Sequence, residues 1–335
     1  MARLVGLDLG TSYTRIWVQG RGIVLRCPSA AAIDSQSHEV VALGAEARRM
    51  LGKTPEDILA YRPIKDGVIT DFEVASRMIG KFFSSKQISS TFNRPVVLLS
   101  TPYRITEVER LAVENAVLEA GARAVTQVPA IYAAAAGAGL RVYSPRGSMI
   151  VCMGGGITES AVISSGGIIS ARSLKVAGER FDMAIINYLR NRRDLLVGDT
   201  TAEMLKTKLG TADTRIDRGE MTVYGRNVRT GLASSRSVTS AEICEAIMPA
   251  IDAVARTVLS TLDTVPPEIA GDVYAYGLML CGGSALMPGL PGVLARKTGL
   301  RVTVAREPLD CVTLGLGRIH EHPTLWGEPL EYRLR

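Results

Sequence analysis

Aromatic residues make up only 5% of this 335-residue chain. No recognition motif interleaves them with basic residues, so nothing but charge would favour a nucleic-acid partner, and none is expected. Histidine is scarce, with three in all. The five cysteines (Cys27, Cys152, Cys244, Cys281, Cys311) form no CxxC pair and have no histidine at metal-ligand spacing. This is poor evidence for a metal site, and small, buried, reduced thiols are expected. His320 and His322 read as part of a polar tail. Long apolar runs are also missing. The best candidate, AIYAAAAGAGL, is mostly Ala and Gly and falls short of the roughly 20 apolar residues of a membrane span. At the start, MARLVGLDLG meets Gly6 and Asp8 too early for the apolar core of a signal peptide. A cytoplasmic location is expected.

What is present is a folded, core-forming composition: 47% hydrophobic and 21% charged residues, at a length that suggests two domains. The net charge of +6 favours an acidic partner, but the basic residues are scattered. Their densest cluster, LRNRRD at 189–194, reads as a solvated helix end. An anionic membrane surface suits this charge better than nucleic acid does.

The chain repeats itself. Written one above the other, VGLDLGTSYTRIWVQGRGIV (5–24) and IVCMGGGITESAVISSGGII (150–169) align Gly10 with Gly154, Thr14 with Thr158, Val18 with Val162 and Gly22 with Gly166. Each copy reads as strand, glycine-rich turn, strand, second turn and third strand. Two related halves facing one cleft are predicted. Glycine lets a backbone approach phosphate oxygens closely, and the N–H groups of such turns point at the anion. A carboxylate at the strand end would hold Mg²⁺. The first copy has Asp8 there; the second has Cys152.

The rest alternates strand and helix. DFEVASRMIGKFF (71–83) places Met78, Ile79, Phe82 and Phe83 on one helical face behind the cap Asp71. PVVLLSTP (95–102) reads as a buried strand. Capping boxes are predicted at Thr106–Glu109, Thr200–Glu203 and Thr239–Glu242. LMLCGGSALMPGL (278–290) reads as a strand running into a third glycine turn and a helix N-terminus, another place for an anion. The fold class is α/β, with two similar lobes.

With three such turns in order, the chain resembles the actin, sugar kinase and Hsp70 ATPase superfamily, and within it the MreB and Mbl family of bacterial actins. The likeness runs from about residue 4 to about 320. It is carried by GLDLGTS, GRGIVL, RPIKDGVITDFEVA, TPYRITEVERLAVENAVLEAGAR, GAGL, GGGITESAVISSGGI, VAGERFD and PPEIAGDVYAYGLMLCGGSAL. The resemblance implies an actin-like ATPase fold with four subdomains around an ATP–Mg²⁺ cleft. A first lobe would span 1–143 (its smaller subdomain about 33–65) and a second 144–317 (its smaller subdomain about 180–238), with 318–335 returning to the first. By motif, Asp8, Gly10, Thr11, Ser12 and Tyr13 would form the first phosphate loop, with Asp8 on the metal side, and Gly154, Gly155 and Gly156 the second. Glu203 and Lys206 would meet the ribose and base. Gly282, Gly283, Ser284 and Ala285 would hold the adenosine. Plainer readings exist: Glu203 completing its capping box, Lys206 as a surface lysine, Ser284 as a helix cap.

Departures from the family cluster at the chemistry. Cys152 and Ile157 stand where Asp and Thr are usual. Pro129, Ala130 and Ile131 stand where a Glu-Glu-Pro stretch supplies the acid that positions attacking water. Bulky Tyr13 replaces a small residue. Loss of such an acid costs on the order of 10²–10⁴-fold in rate. A thiol is also a poor ligand for Mg²⁺, which prefers hard oxygens. ATP binding with weak or absent hydrolysis is therefore expected, and no catalytic residue is assigned.

The family also implies filaments of the chain itself or with a paralogue, peripheral at the inner face of the cell membrane, alongside cell-shape and wall-synthesis proteins. Only MARLV precedes the first strand, so the expected membrane contact is the loop SSKQISSTFNRP (84–95), through Ile88 and Phe92. An ordinary loop with Phe92 folded back on the core is the alternative. A non-polymerising pseudo-ATPase that binds shape proteins, or an active small-molecule kinase of the same fold, would share the scaffold. The kinase would need an acid that the residues around Ala130 do not offer.

Overall fold

The computed structural model describes residues 3–88, 94–326 and 330–334. Two sheets carry the duplication. In the first, β1 (Leu4–Leu9), β2 (Tyr13–Val18) and β3 (Gly22–Pro28) form an antiparallel meander. On the other side of β1, β4 (Val96–Thr101) and then β5 (Ala124–Pro129) add in parallel. The second sheet repeats this with β6 (Ser148–Met153), β7 (Thr158–Ser164) and β8 (Gly167–Leu174) as the meander, and β9 (Leu278–Cys281) and β10 (Val302–Val304) in parallel. Strand orders β5-β4-β1-β2-β3 and β10-β9-β6-β7-β8 are the same pattern twice. Near the C-terminus, β11 (Arg333–Leu334) pairs with β5, putting this end of the chain on the first sheet. The parallel strands are apolar runs, as strands covered on both faces must be.

Each half carries a smaller three-stranded sheet. One centres on Ala31–Asp34, the other on Glu220–Asn227. Three helix starts carry the side-chain caps expected from the sequence. The Asp71 side chain accepts from the Val74 N–H, and Met78, Ile79, Phe82 and Phe83 are buried on the predicted face. The boxes at Thr106 and Thr239 are closed by Glu109 and Glu242. The box predicted at Thr200 does not form. That helix starts two residues earlier, Asp199–Leu209, with Gly198 as an N-cap that has no side chain to offer. Glu203 turns away from its own backbone to two arginines of the other half.

The two halves exchange helices. Ala130–Gly137 follows β5 yet packs on β6 and β7; Cys311–Glu321 follows β10 yet packs on β1 and β2. They cross at backbone contact. A Cβ placed on Gly137 would lie 1.8 Å from the Cys311 carbonyl oxygen, and one on Gly315 would lie 1.7 Å from that of Ala133. Each glycine stands four residues after the residue whose carbonyl its counterpart meets, so the crossing is a local two-fold. Around it lies a central core that includes Ala133–Ala136, Ile150, Cys281 and Leu316, between the separate cores of the two halves. The Ala-rich run is explained by this crossing, because larger side chains would hold the helices apart.

Two further sequence readings are corrected by burial. His320 is not part of a polar tail: it sits on the Cys311–Glu321 helix at 5% exposure, between Trp17 and Tyr332. One ring nitrogen lies 3.1 Å from the Val5 carbonyl oxygen, and burial lowers its pKa to about 4. Ile88 does not project outward for a membrane. It is 1% exposed, in the core with Met78, Phe82 and Val97. Phe92 lies outside the described residues.

Candidate functional site

The three glycine turns converge between the lobes. The first leaves β1 after Asp8 and Leu9 and runs through Gly10, Thr11 and Ser12 to Tyr13, where β2 begins. The second leaves β6 through Gly154, Gly155 and Gly156. A third leaves β9 at Gly282, whose φ of 86° suits glycine, and tightens into the 3-10 turn Gly283–Leu286 that contains Ser284 and Ala285. Their spacing leaves no room for side chains. A Cβ on Gly155 would lie 2.1 Å from Ser12 Oγ, one on Gly156 2.6 Å from Thr11 Oγ1, and one on Gly282 2.3 Å from the Met153 carbonyl oxygen. Ser284 is not a helix cap; its hydroxyl donates to the Gly154 carbonyl at 3.3 Å and ties the third turn to the second. The Gly67 N–H donates to Thr11 Oγ1 at 3.1 Å, which brings the Lys65–Val68 hairpin turn onto the first loop.

Behind the second turn stands the helix Gly178–Arg193. Its first N–H groups donate to the carbonyls of Gly154 and Gly155 at 3.2 and 2.8 Å. Lys206 is no free surface lysine. Its ammonium donates to the Gly178 carbonyl at 2.9 Å and to Asp182 at 2.8 Å. Burial raises the Asp182 carboxyl to about 6, against the lowering influence of Lys206.

Asp8 faces the Cys311–Glu321 helix, with its side chain 14% exposed. It accepts from Ser100 Oγ at 3.0 Å and from Thr313 Oγ1 at 3.5 Å, and Arg15 Nη1 lies 3.9 Å away. Burial pushes its carboxyl up. At the matching position of the other sheet, Cys152 lies opposite Glu159 on β7 and beside Cys281 on β9. Glu159 is 3% exposed and accepts from the Tyr103 N–H at 2.7 Å; burial pushes its carboxyl up to about 7.

A divalent cation fits this donor set poorly. The Asp8 carboxylate already accepts from two hydroxyls and has a guanidinium 3.9 Å away, and its counterpart is a thiol. Among the described residues no group of three His, Cys, Asp or Glu side chains is placed to hold a metal. Pro129 and Ala130 are half-buried and Ile131 is fully buried, so no acid stands there to orient water. The arrangement can seat an anion on main-chain amides.

Across the mouth of the cleft runs a set of side chains of which the sequence had marked only Tyr13 and Glu203; Arg48, Arg62 and Glu179 were missed. The Tyr13 hydroxyl accepts from Arg48, whose other Nη donates to Glu203 at 2.8 Å. Arg62 donates to Glu179 at 2.6 Å and approaches Glu203 at 3.7 Å. Arg48 and Arg62 belong to the first half, Glu179 and Glu203 to the second. Arg15 was missed as well. Arg62 and Glu179 lie inside segments that carry the family resemblance, which is the one signal that could have marked them; Arg15 and Arg48 carry none.

Comparison with known proteins gives one answer throughout. The family model described as MreB/Mbl protein matches residues 2–327. The cell shape-determining protein Mbl of Bacillus subtilis (strain 168) is 40% identical over 316 residues, 94% of this chain and 95% of the relative. The cell shape-determining protein MreB of Escherichia coli (strain K12) is 42% identical over 333 residues, 97% of this chain and 95% of the relative. Among solved structures, MreB5 of Spiroplasma citri bound to AMPPNP superposes with a TM-score of 0.92 at 34% identity, covering 97% of each chain.

Proposed function

Because the chain belongs to the MreB/Mbl family, we propose that it is a bacterial actin that forms filaments, alone or with a family paralogue, and organises cell shape and wall synthesis. It works in the cytoplasm, peripheral at the inner face of the cell membrane, and its partners include wall-synthesis proteins. It binds ATP, holds Mg²⁺ only weakly and hydrolyses the nucleotide slowly or not at all. The single observation behind this reading is the contact between Ser12 and Gly155 across the lobes. It supports a reading in which two phosphate-type loops share one point, while Pro129–Ile131 and Cys152 offer no acid.

The solved relative with bound AMPPNP supports the nucleotide. The exchanged helices and repeated sheets support lobes of 1–143 and 144–317, with 318–335 returning to the first. Glu203 and Lys206 stand on the helix Asp199–Leu209 beside the second turn, which agrees with a place at the edge of the nucleotide. Membrane contact through Phe92 rests on the family alone.

Sedimentation with and without ATP, together with phosphate release from purified protein, tests the reading. Polymer formed with ATP, and release at least about 100-fold slower than that of an MreB with its acids in place, is the expected pair of results. A family-like, Mg²⁺-dependent release rate would refute the claim of weak hydrolysis. A chain that binds nucleotide but never sediments would instead be the pseudo-ATPase module.

A further inference from the structure

The poor fit to a metal points to what replaces it. Asp8 and Arg15 are direct cross-strand partners on β1 and β2, so the guanidinium stands over the carboxylate expected on the metal side. Arg15 Nε lies 3.2 Å from Asp310 Oδ1, and the Arg15 side chain is 13% exposed. Neither acid depends on it. Arg26 already engages Asp310 with a fork, at 3.1 Å from Nε and 2.7 Å from Nη2. Asp8 keeps Ser100 and Thr313. Together Asp8, Arg15, Arg26 and Asp310 sum to zero charge, so the cluster offers a divalent cation no net attraction. Two carboxylates in place of Asp8 and Cys152, with no arginine between the strands, would offer it two negative charges.

We propose that Arg15 is the fixed cation of the nucleotide site: it provides the charge compensation for the phosphates in place of a bound divalent ion, so that a nucleoside triphosphate binds without Mg²⁺. The inference rests on the nucleotide reading above. A guanidinium suits the role because it stays protonated at any physiological pH and meets phosphate oxygens through two parallel N–H bonds. Its position is set beforehand by the β1–β2 register, by Asp310 and by the Tyr13 ring, whose centre lies 5.4 Å from Cζ. Releasing Arg15 from Asp8 to a phosphate leaves neither carboxylate unpartnered, so the exchange costs little.

Titration of the full chain with a fluorescent ATP analogue, in Mg²⁺ or in EDTA, tests this directly. The native chain is expected to change its Kd by less than about threefold on chelation. Arg15→Gln is expected to lose about tenfold or more in EDTA, a loss that Arg15→Lys softens and Mg²⁺ partly repairs. Arg15→Leu combined with Cys152→Asp is expected to bind only with Mg²⁺. A native Kd that rises tenfold or more in EDTA overturns the inference and leaves the nucleotide reading standing. So does an Arg15→Gln chain that binds in EDTA as the native one does. No binding in either condition sinks the nucleotide reading and the inference with it.

Discussion

Replacing Gly315 by alanine puts a methyl group 1.7 Å from the carbonyl oxygen of Ala133, and the same change at Gly137 puts one 1.8 Å from that of Cys311. Ordinary carbon–oxygen contact lies near 3.4 Å, so the two helices must separate by at least about 1.6 Å to admit either methyl. Neither can yield by rotating a side chain, because the obstacle on each side is backbone. Each helix also packs on the sheet of the opposite half, so the shift loosens both β1–β2 and β6–β7. Overpacking of an ordinary core costs about 1–3 kcal/mol. With backbone on both sides the cost here is expected at the top of that range or above, about 3 kcal/mol or more, against a total stability of about 5–15 kcal/mol.

Urea unfolding of Gly315→Ala and Gly137→Ala, read by circular dichroism, measures it. Gly271→Ala is the control: it lies in the helix Pro267–Tyr276 with nothing within 4 Å of a new Cβ. That change should be neutral, or stabilise by up to about 1 kcal/mol through the entropy of the unfolded chain. The double variant should cost less than the sum of the singles, because both methyls act on one crossing. If Gly315→Ala unfolds within about 1 kcal/mol of the native chain, the exchanged-helix crossing is not the constraint described.

Two further outcomes follow from the site. Glu159 has its carboxyl raised by burial from 4.5 to about 7, so the folded state binds a proton more tightly than the unfolded chain. Stability therefore falls as pH rises from about 4.5 to 7, by about 3 kcal/mol at most, and stays low above that window. Glu159→Gln keeps an acceptor for the Tyr103 N–H and should remove this fall; melting curves from pH 5 to 8 that stay parallel for the two proteins would refute it. Arg48→Ala cuts the Tyr13–Arg48–Glu203 link across the cleft, where both charged side chains are partly exposed, at 32% and 25%. Solvent screening holds such a pair to about 1 kcal/mol or less, so nucleotide release should quicken by up to about fivefold with almost no change in melting temperature; unchanged release in a stopped-flow chase would count against the link.

How far the fold could be read from the residues depended on the range of the forces involved. The duplicated hairpins were legible because glycine turns and alternating apolar runs are local, and β1–β3 and β6–β8 form where the repeat put them. The caps at Asp71, Thr106 and Thr239 were legible for the same reason. The Thr200 box failed because a distant charge competed: Glu203 is held by Arg48, 155 residues away in sequence. His320 was misplaced because its burial comes from Trp17 and Tyr332, neither of which neighbours it along the chain. Ile88 was read as outward-facing because a polar loop hides the core residue it contains.

By itself, then, the order of residues determined the architecture and the missing acids: three glycine turns at strand ends, Cys152 where Asp8 has its counterpart, and nothing ionisable at 129–131. Only the tertiary structure decided what those absences mean, since it brought Arg15 over Asp8 by strand register, and Arg26 to Asp310 across 284 positions. Turn and cap preferences act over a few residues and are written locally. The charge balance of a cleft is a sum over side chains that meet only when both halves have folded.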